Sequence, residues 1–178
     1  KELWSYDPIH DKDTSNFFSP MECAALEEQV DILKLLIQHK GKMNHYQKNI
    51  FKRLERFVPE LALEKCYQLW AEFPFRLVIS KARQTKLGDF RVKSEEDIPI
   101  ITMNCNLNRF AFLLTYVHEV AHLKVYLVYG RNTKPHGIEW QKTFQELMKP
   151  FLENEIFPEP LRPILKTHMK QPKASSQS

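Results

Sequence analysis

Val117-His118-Glu119-Val120-Ala121-His122-Leu123 lies inside an apolar run from Asn108 to Gly130, and its reading decides the rest of the chain. Residues four apart on an α-helix share a face, one turn above each other. His118 and His122 can therefore aim their imidazoles at one metal ion. Glu119, beside the first histidine, can reach a water held in an open coordination position. A zinc-bound water is acidified, and a neighbouring carboxylate can take its proton and pass it to a leaving amine. That is the chemistry of H-E-x-x-H. An accidental match in a chain with this His and Glu content arises roughly 2% of the time, so the motif is specific.

A third protein ligand must come from elsewhere. The metzincin spacing would place Gly and His where this chain has Val125 and Val128, which excludes that arrangement. A glutamate from a following helix is available in type as Glu139 or Glu146. His136 is preferred: it lies just past the helix-ending Gly130, and Pro135 and Gly137 suit a tight bend that presents a side chain inward. His10, His39, His45 and His168 lack such a setting and read as surface residues.

Working outward, Ile100 to Leu107 alternates Ile101, Met103, Cys105 and Leu107 with Thr102, Asn104 and Asn106, a strand with one apolar and one polar face. Standing before the motif helix, it is a candidate to hold substrate as an added strand. Asn104 and Asn106 are its candidate substrate contacts. Further back, Phe75 to Ser80 and Phe90 to Val92 read as strands with Gly88 in the turn between them, so the expectation is a small antiparallel sheet. Three helices precede it: one from Ser19-Pro20-Met21-Glu22 to about Gly41, one capped by Asn44 and running to about Val58, and one from Pro59 to Pro74. The lysines and arginines of the second, Lys48, Lys52, Arg53 and Arg56, read as a solvated face. After Gly130 a loop reaches Gly137. An amphipathic helix carries Ile138, Trp140, Phe144, Leu147 and Met148, with Pro150 ending or kinking it, and a last short helix lies before Met169. Tyr126, Tyr129 and Arg131, near the end of the motif helix, are the candidates for an oxyanion donor.

The expected organisation is a loose arm over residues 1–18, one α+β domain over 19–169, and a disordered tail over 170–178, where apolar content is low. A length of 178 residues, 43% hydrophobic, is enough for one real core. The longest apolar run carries Arg109, His118, Glu119, His122 and Lys124, so no membrane span is expected. No charged-then-apolar leader opens the sequence, and a cytoplasmic location is expected. Cys23, Cys66 and Cys105 are odd in number, widely spaced and without a C-x-x-C, and read as reduced, buried thiols. A net charge of +4 permits an acidic partner such as DNA without requiring one.

His118-Glu119-Val120-Ala121-His122, then Gly130-Arg131, then Pro135-His136-Gly137-Ile138-Glu139-Trp140 resembles the SprT-like family of zinc-dependent peptidases. That family pairs H-E-x-x-H with a later H-G-x-x-W/F segment in this order. The resemblance is strong over residues 100–148 and extends more weakly back to Met43. It implies a zincin-like fold, with helices and a small antiparallel sheet packed on the H-E-x-x-H helix. It further implies Zn2+ on His118, His122 and His136, with Glu119 as general base. Kinship with the human protease Spartan, which cuts proteins crosslinked to DNA, makes DNA-associated proteins a candidate substrate class. Many bacterial relatives carry a C-terminal four-cysteine ribbon, which these 178 residues do not include, and no DNA-binding module is visible among them. The expected function is hydrolysis of peptide bonds in an extended protein or peptide. The rival from another class is a zinc-bearing module of the same fold that binds nucleic acid or protein without turnover. A purely structural zinc is disfavoured, because three histidines leave a coordination position open.

Overall fold

The computed structural model describes residues 45–94 and 97–172. The arm at 1–18, the helix expected from Ser19, the Asn44 cap, Cys23 and the end of the tail lie outside the described residues. In chain order the elements are α1 (His45–Phe57), a single 3-10 turn (Glu60–Ala62), α2 (Leu63–Glu72), β1 (Arg76–Ser80), β2 (Gly88–Arg91), β3 (Ile100–Asn104), α3 (Arg109–Tyr129), α4 (Ile138–Glu153) and α5 (Arg162–His168). The architecture is α+β.

The sheet is mixed, not antiparallel as expected, and its order is β1-β3-β2. β3 runs parallel to β1, with Leu77 opposite Ile101, and antiparallel to β2, with Asp89 opposite Thr102. The anticipated β1–β2 hairpin does not form, and Gly88 is the first residue of a strand, not part of a turn. The physical reason lies in composition. Ile101 and Met103 are fully buried and need cover on both flanks, whereas β2, with Asp89 and Arg91, tolerates an edge. β3 therefore has no free edge over Ile100–Asn104 and cannot accept an added strand there. Its polar face is not solvated either: Thr102 and Asn104 are buried.

Asn104 is the pin of that face. Its Nδ2 donates to the carbonyls of Arg83 (3.0 Å) and Lys86 (2.8 Å), and its Oδ1 accepts from Arg83 Nε at 2.9 Å. The 81–87 loop is thereby folded over the sheet. β3 ends at Asn104, so Cys105 and Asn106 are exposed, and the expected burial of Cys105 does not hold. Cys66 is buried, and burial pushes its thiol pKa up.

α3 packs on the apolar face of β3 and β2 and against α1 and α4. Asn108 starts it, its side chain accepting from the Phe110 and Ala111 N–H groups at 3.1 and 2.9 Å, and Gly130 (φ 77°) closes it. Phe112, Leu113, Tyr116, Val117, Val120 and Ala121 are fully buried along its length. Buried donors lock this core to its surroundings: Tyr116 Oη to the Cys66 carbonyl (2.9 Å) and Trp70 Nε1 to the Phe75 carbonyl (2.9 Å). Arg53 is not a solvated cation, since its Nη1 donates to the Leu77 carbonyl at 2.8 Å and ties α1 to β1. α4 continues through Pro150 to Glu153 because Phe151 and Leu152 are buried in the same core, which outweighs one lost backbone hydrogen bond. Among the described residues no helix is long and apolar enough to cross a membrane.

Candidate metal centre

His118 and His122 stand one turn apart on α3, at the mouth of a cleft of about 860 Å³. The third group arrives by a tight turn. Gly137 N–H donates to the Lys134 carbonyl at 2.9 Å, and His136 adopts a left-handed backbone conformation (φ 56°) that few non-glycine residues take. Such strain is of order 1 kcal/mol or more and gathers at functional sites. A methyl group at position 137 would lie 3.0 Å from the Lys134 carbonyl oxygen, so glycine keeps this turn closed.

The result is a triangle of ring nitrogens. Nε2 of His122 is 3.2 Å from that of His118 and 2.9 Å from that of His136, and the third side is 3.1 Å. A ring nitrogen that carries a proton cannot also accept, so hydrogen bonds can satisfy at most two of these three contacts. One cation facing all three lone pairs removes the conflict. Donors around a tetrahedral ion bonded at ~2.0–2.1 Å stand roughly 3.3 Å apart, close to the spacing found. The three histidines could therefore hold a metal ion. Glu139 and Glu146 are not in this group, and Glu146 instead faces Lys124 at 3.8 Å.

Electrostatics prepare the rings as ligands. Burial first, then His122 and His136, push His118 down to about 3. Burial and then His136 push His122 down to about 4, and burial also lowers His136. All three are neutral near pH 7, the form that binds metal. Trp140, fully buried at the start of α4, forms the back wall: its ring centroid lies 4.6, 5.4 and 4.7 Å from those of His118, His122 and His136, and Phe144 stacks behind it at 4.9 Å. Its Nε1 donates to the His118 carbonyl at 3.4 Å.

Glu119 sits beside the triangle, 7% exposed. Burial, and then the Asp89 carboxylate, push its pKa up to about 8, while the Phe90 backbone N–H and the charges of Arg83 and Lys86 act the other way. The cleft is walled by the 84–90 segment on one side and by Leu114 and Thr115 of α3 on the other, with Pro135 beyond His136. Neither Asn104 nor Asn106 lines it, and neither do Tyr126, Tyr129 and Arg131. Tyr126 packs on Phe90 with centroids 5.8 Å apart, Arg131 lies over Tyr126 and donates to the Lys93 carbonyl, and Tyr129 is exposed.

The residues that sequence reasoning missed are those of β2. The ladder shows why they matter. Asn104 N–H donates to the Leu87 carbonyl, so Leu87, Asp89 and Arg91 bond to β3, and the peptide groups of Gly88 and Phe90 point away from it, toward the outer edge. An isolated glycine in a strand, the mark of a close approach, was the available signal.

Comparison with known proteins follows the same residues. The SprT-like family model matches residues 45–159. Protein SprT of Pasteurella multocida (strain Pm70) is 54% identical over 41 residues, 22% of this chain and 24% of that protein, so the chain matches about a quarter of its curated relative's length. No solved structure matches.

Proposed function

The chain belongs to the SprT-like family, and from that premise we propose that it is a zinc-dependent metallopeptidase acting on extended segments of protein. The observation that carries this reading is the convergence of three neutral imidazoles within 3.2 Å of one another on the wall of a cleft that also holds Glu119 and the β2 edge, which pairs only with β3 among the described residues. His118, His122 and His136 would hold the ion. When bound, zinc acts as a Lewis acid toward a water and the scissile carbonyl.

The chain's own residues do the rest. Glu119 takes the proton of the attacking water and delivers it to the departing nitrogen. In the metal-free site burial and Asp89 favour its protonated form, the form that delivers the proton. A nearby dication favours the ionised form that begins the cycle, as Arg83 and Lys86 already do. The outward peptide groups of Gly88 and the outward Phe90 carbonyl receive an extended substrate as an added strand, a mode that reads backbone and tolerates many side chains, while the Phe90 N–H stays with Glu119. This moves the strand-addition role from β3 to β2. Asn104 serves the cleft by pinning the 81–87 loop, and Asn106 is exposed outside its lining.

The test is metal content and proteolysis together. The wild-type chain is expected to carry about one zinc and to cleave an unfolded protein. Glu119→Gln is expected to keep the zinc and lose cleavage by about a thousandfold, within the reach of general-base catalysis. Wild-type cleavage by Glu119→Gln would remove the base, and absence of metal after zinc is supplied would remove the mechanism.

A further inference from the structure

We infer that Gly88 is a positioning residue: the side chain it lacks is the space in which the Glu119 carboxylate stands. A methyl group at position 88 would lie 2.7 Å from Glu119 Oε1, 2.8 Å from Glu119 Cγ and 2.7 Å from Thr115 Cγ2. Ordinary carbon contacts are about 3.5–4.0 Å, so each gap falls short by roughly 1 Å. The backbone at Gly88 is outside the left-handed region, and Gly130 is the glycine with positive φ among the described residues. Glycine is needed here for space and not for conformation.

The neighbours cannot give way freely. Thr115 is held in its rotamer by the bond from Oγ1 to the Ala111 carbonyl at 2.8 Å. Glu119 Cγ is near the root of its side chain, and α3 beneath it is fixed by fully buried residues along its length. What can yield is the Glu119 rotamer or the β2 edge, which is paired only through β3 among the described residues. Either movement separates the carboxylate from the Phe90 N–H that faces it. One strand thus sets two things: the edge that takes substrate and the place of the base. The inference rests on Glu119 acting as the base.

The experiment uses the full chain loaded with zinc, an unfolded labelled protein as substrate, and Gly88→Ala. Metal per chain is expected to stay unchanged and kcat to fall about a hundredfold, the effect of a displacement near 1 Å. The Phe90 amide resonance is expected to shift in metal-free Gly88→Ala, reporting lost contact with the carboxylate. In a Glu119→Gln background, Gly88→Ala is expected to add no further loss. If Gly88→Ala does not fold, Gly88→Ala with Thr115→Ser removes one of the overlaps, and the kcat loss is expected to persist in it. Wild-type kcat in either variant carrying Gly88→Ala, an unmoved Phe90 resonance, or an equal loss in both Glu119 backgrounds would overturn the inference. Wild-type cleavage by Glu119→Gln alone would instead sink the base, while the Phe90 resonance would still decide the packing.

Discussion

Replacing Trp140 with Phe tests whether the triad's back wall serves the metal or merely fills the core. The indole is fully buried and touches all three histidine rings, with its Nε1 donating to the His118 carbonyl at 3.4 Å. Phe retains the ring face but leaves a void of roughly 40 Å³, which at ~24 cal/mol per Å³ costs about 1 kcal/mol. The lost hydrogen bond, long as it is, adds at most about 1 kcal/mol. The sum, about 2 kcal/mol, lowers the melting temperature of a domain of ~130 residues by about 7 °C. Loss of a supporting neighbour typically weakens a metal site by about 10–100-fold. Chelator competition, run on the wild type and the variant alike, would measure that affinity. A melting temperature lowered as expected beside a metal dissociation constant within twofold of wild type would refute the supporting role. Trp140 would then be core and nothing more.

His136→Ala is expected to strip the metal at chelator concentrations the wild type withstands, whereas Glu139→Gln and Glu146→Gln leave it bound; metal loss in either glutamine variant would reassign the third ligand. Stability of the metal-free protein should depend on pH in two opposed ways. His118 and His122 have folded-state values of about 3 and 4, below the unfolded value, so stability falls as pH drops below ~6.5 and the unfolded chain takes up protons first. Glu119, raised to about 8, makes stability fall as pH rises from ~4.5 toward that value. Thermal melts across this range should show Glu119→Gln losing only the alkaline decline. Asn104→Ala is expected to cost ~1–2 kcal/mol, because it removes the side-chain bonds to two part-buried carbonyls, and to raise KM through the loosened 81–87 loop. Asn106→Ala should change neither, by melting and steady-state kinetics.

The helix bearing the motif was legible because its signals are local: Asn108 as cap, Gly130 as stop, and two histidines at helical spacing. His136 was legible for a related reason, since a turn written as Pro135 and Gly137 sits between two helices that must fold back on each other. The sheet was not. Strand order is a matter of pairing across distance, and adjacency along the chain suggested a β1–β2 hairpin where the apolar β3 takes the centre. The fate of Asn104 followed from that error, because alternation marks a polar face but not what covers it. Arg53 and Pro150 misled for the opposite reason: their local preferences are real, but the Leu77 carbonyl in one case and the burial of Phe151 and Leu152 in the other prevail. Gly88 carried its signal openly, yet only the approach of α3 explains it.

The shortness of β2 limits what the cleft can grip. Four residues at ~3.3 Å each offer about 13 Å of template, two of them the charged Asp89 and Arg91. A folded domain keeps its backbone groups paired internally and must open a segment, at up to the full cost of unfolding, before it can dock. Susceptibility to cleavage would then track how often a client frays rather than which residues it carries. On that reading the strand works as a gauge of structural integrity, sparing proteins that stay closed and taking those that have begun to come apart.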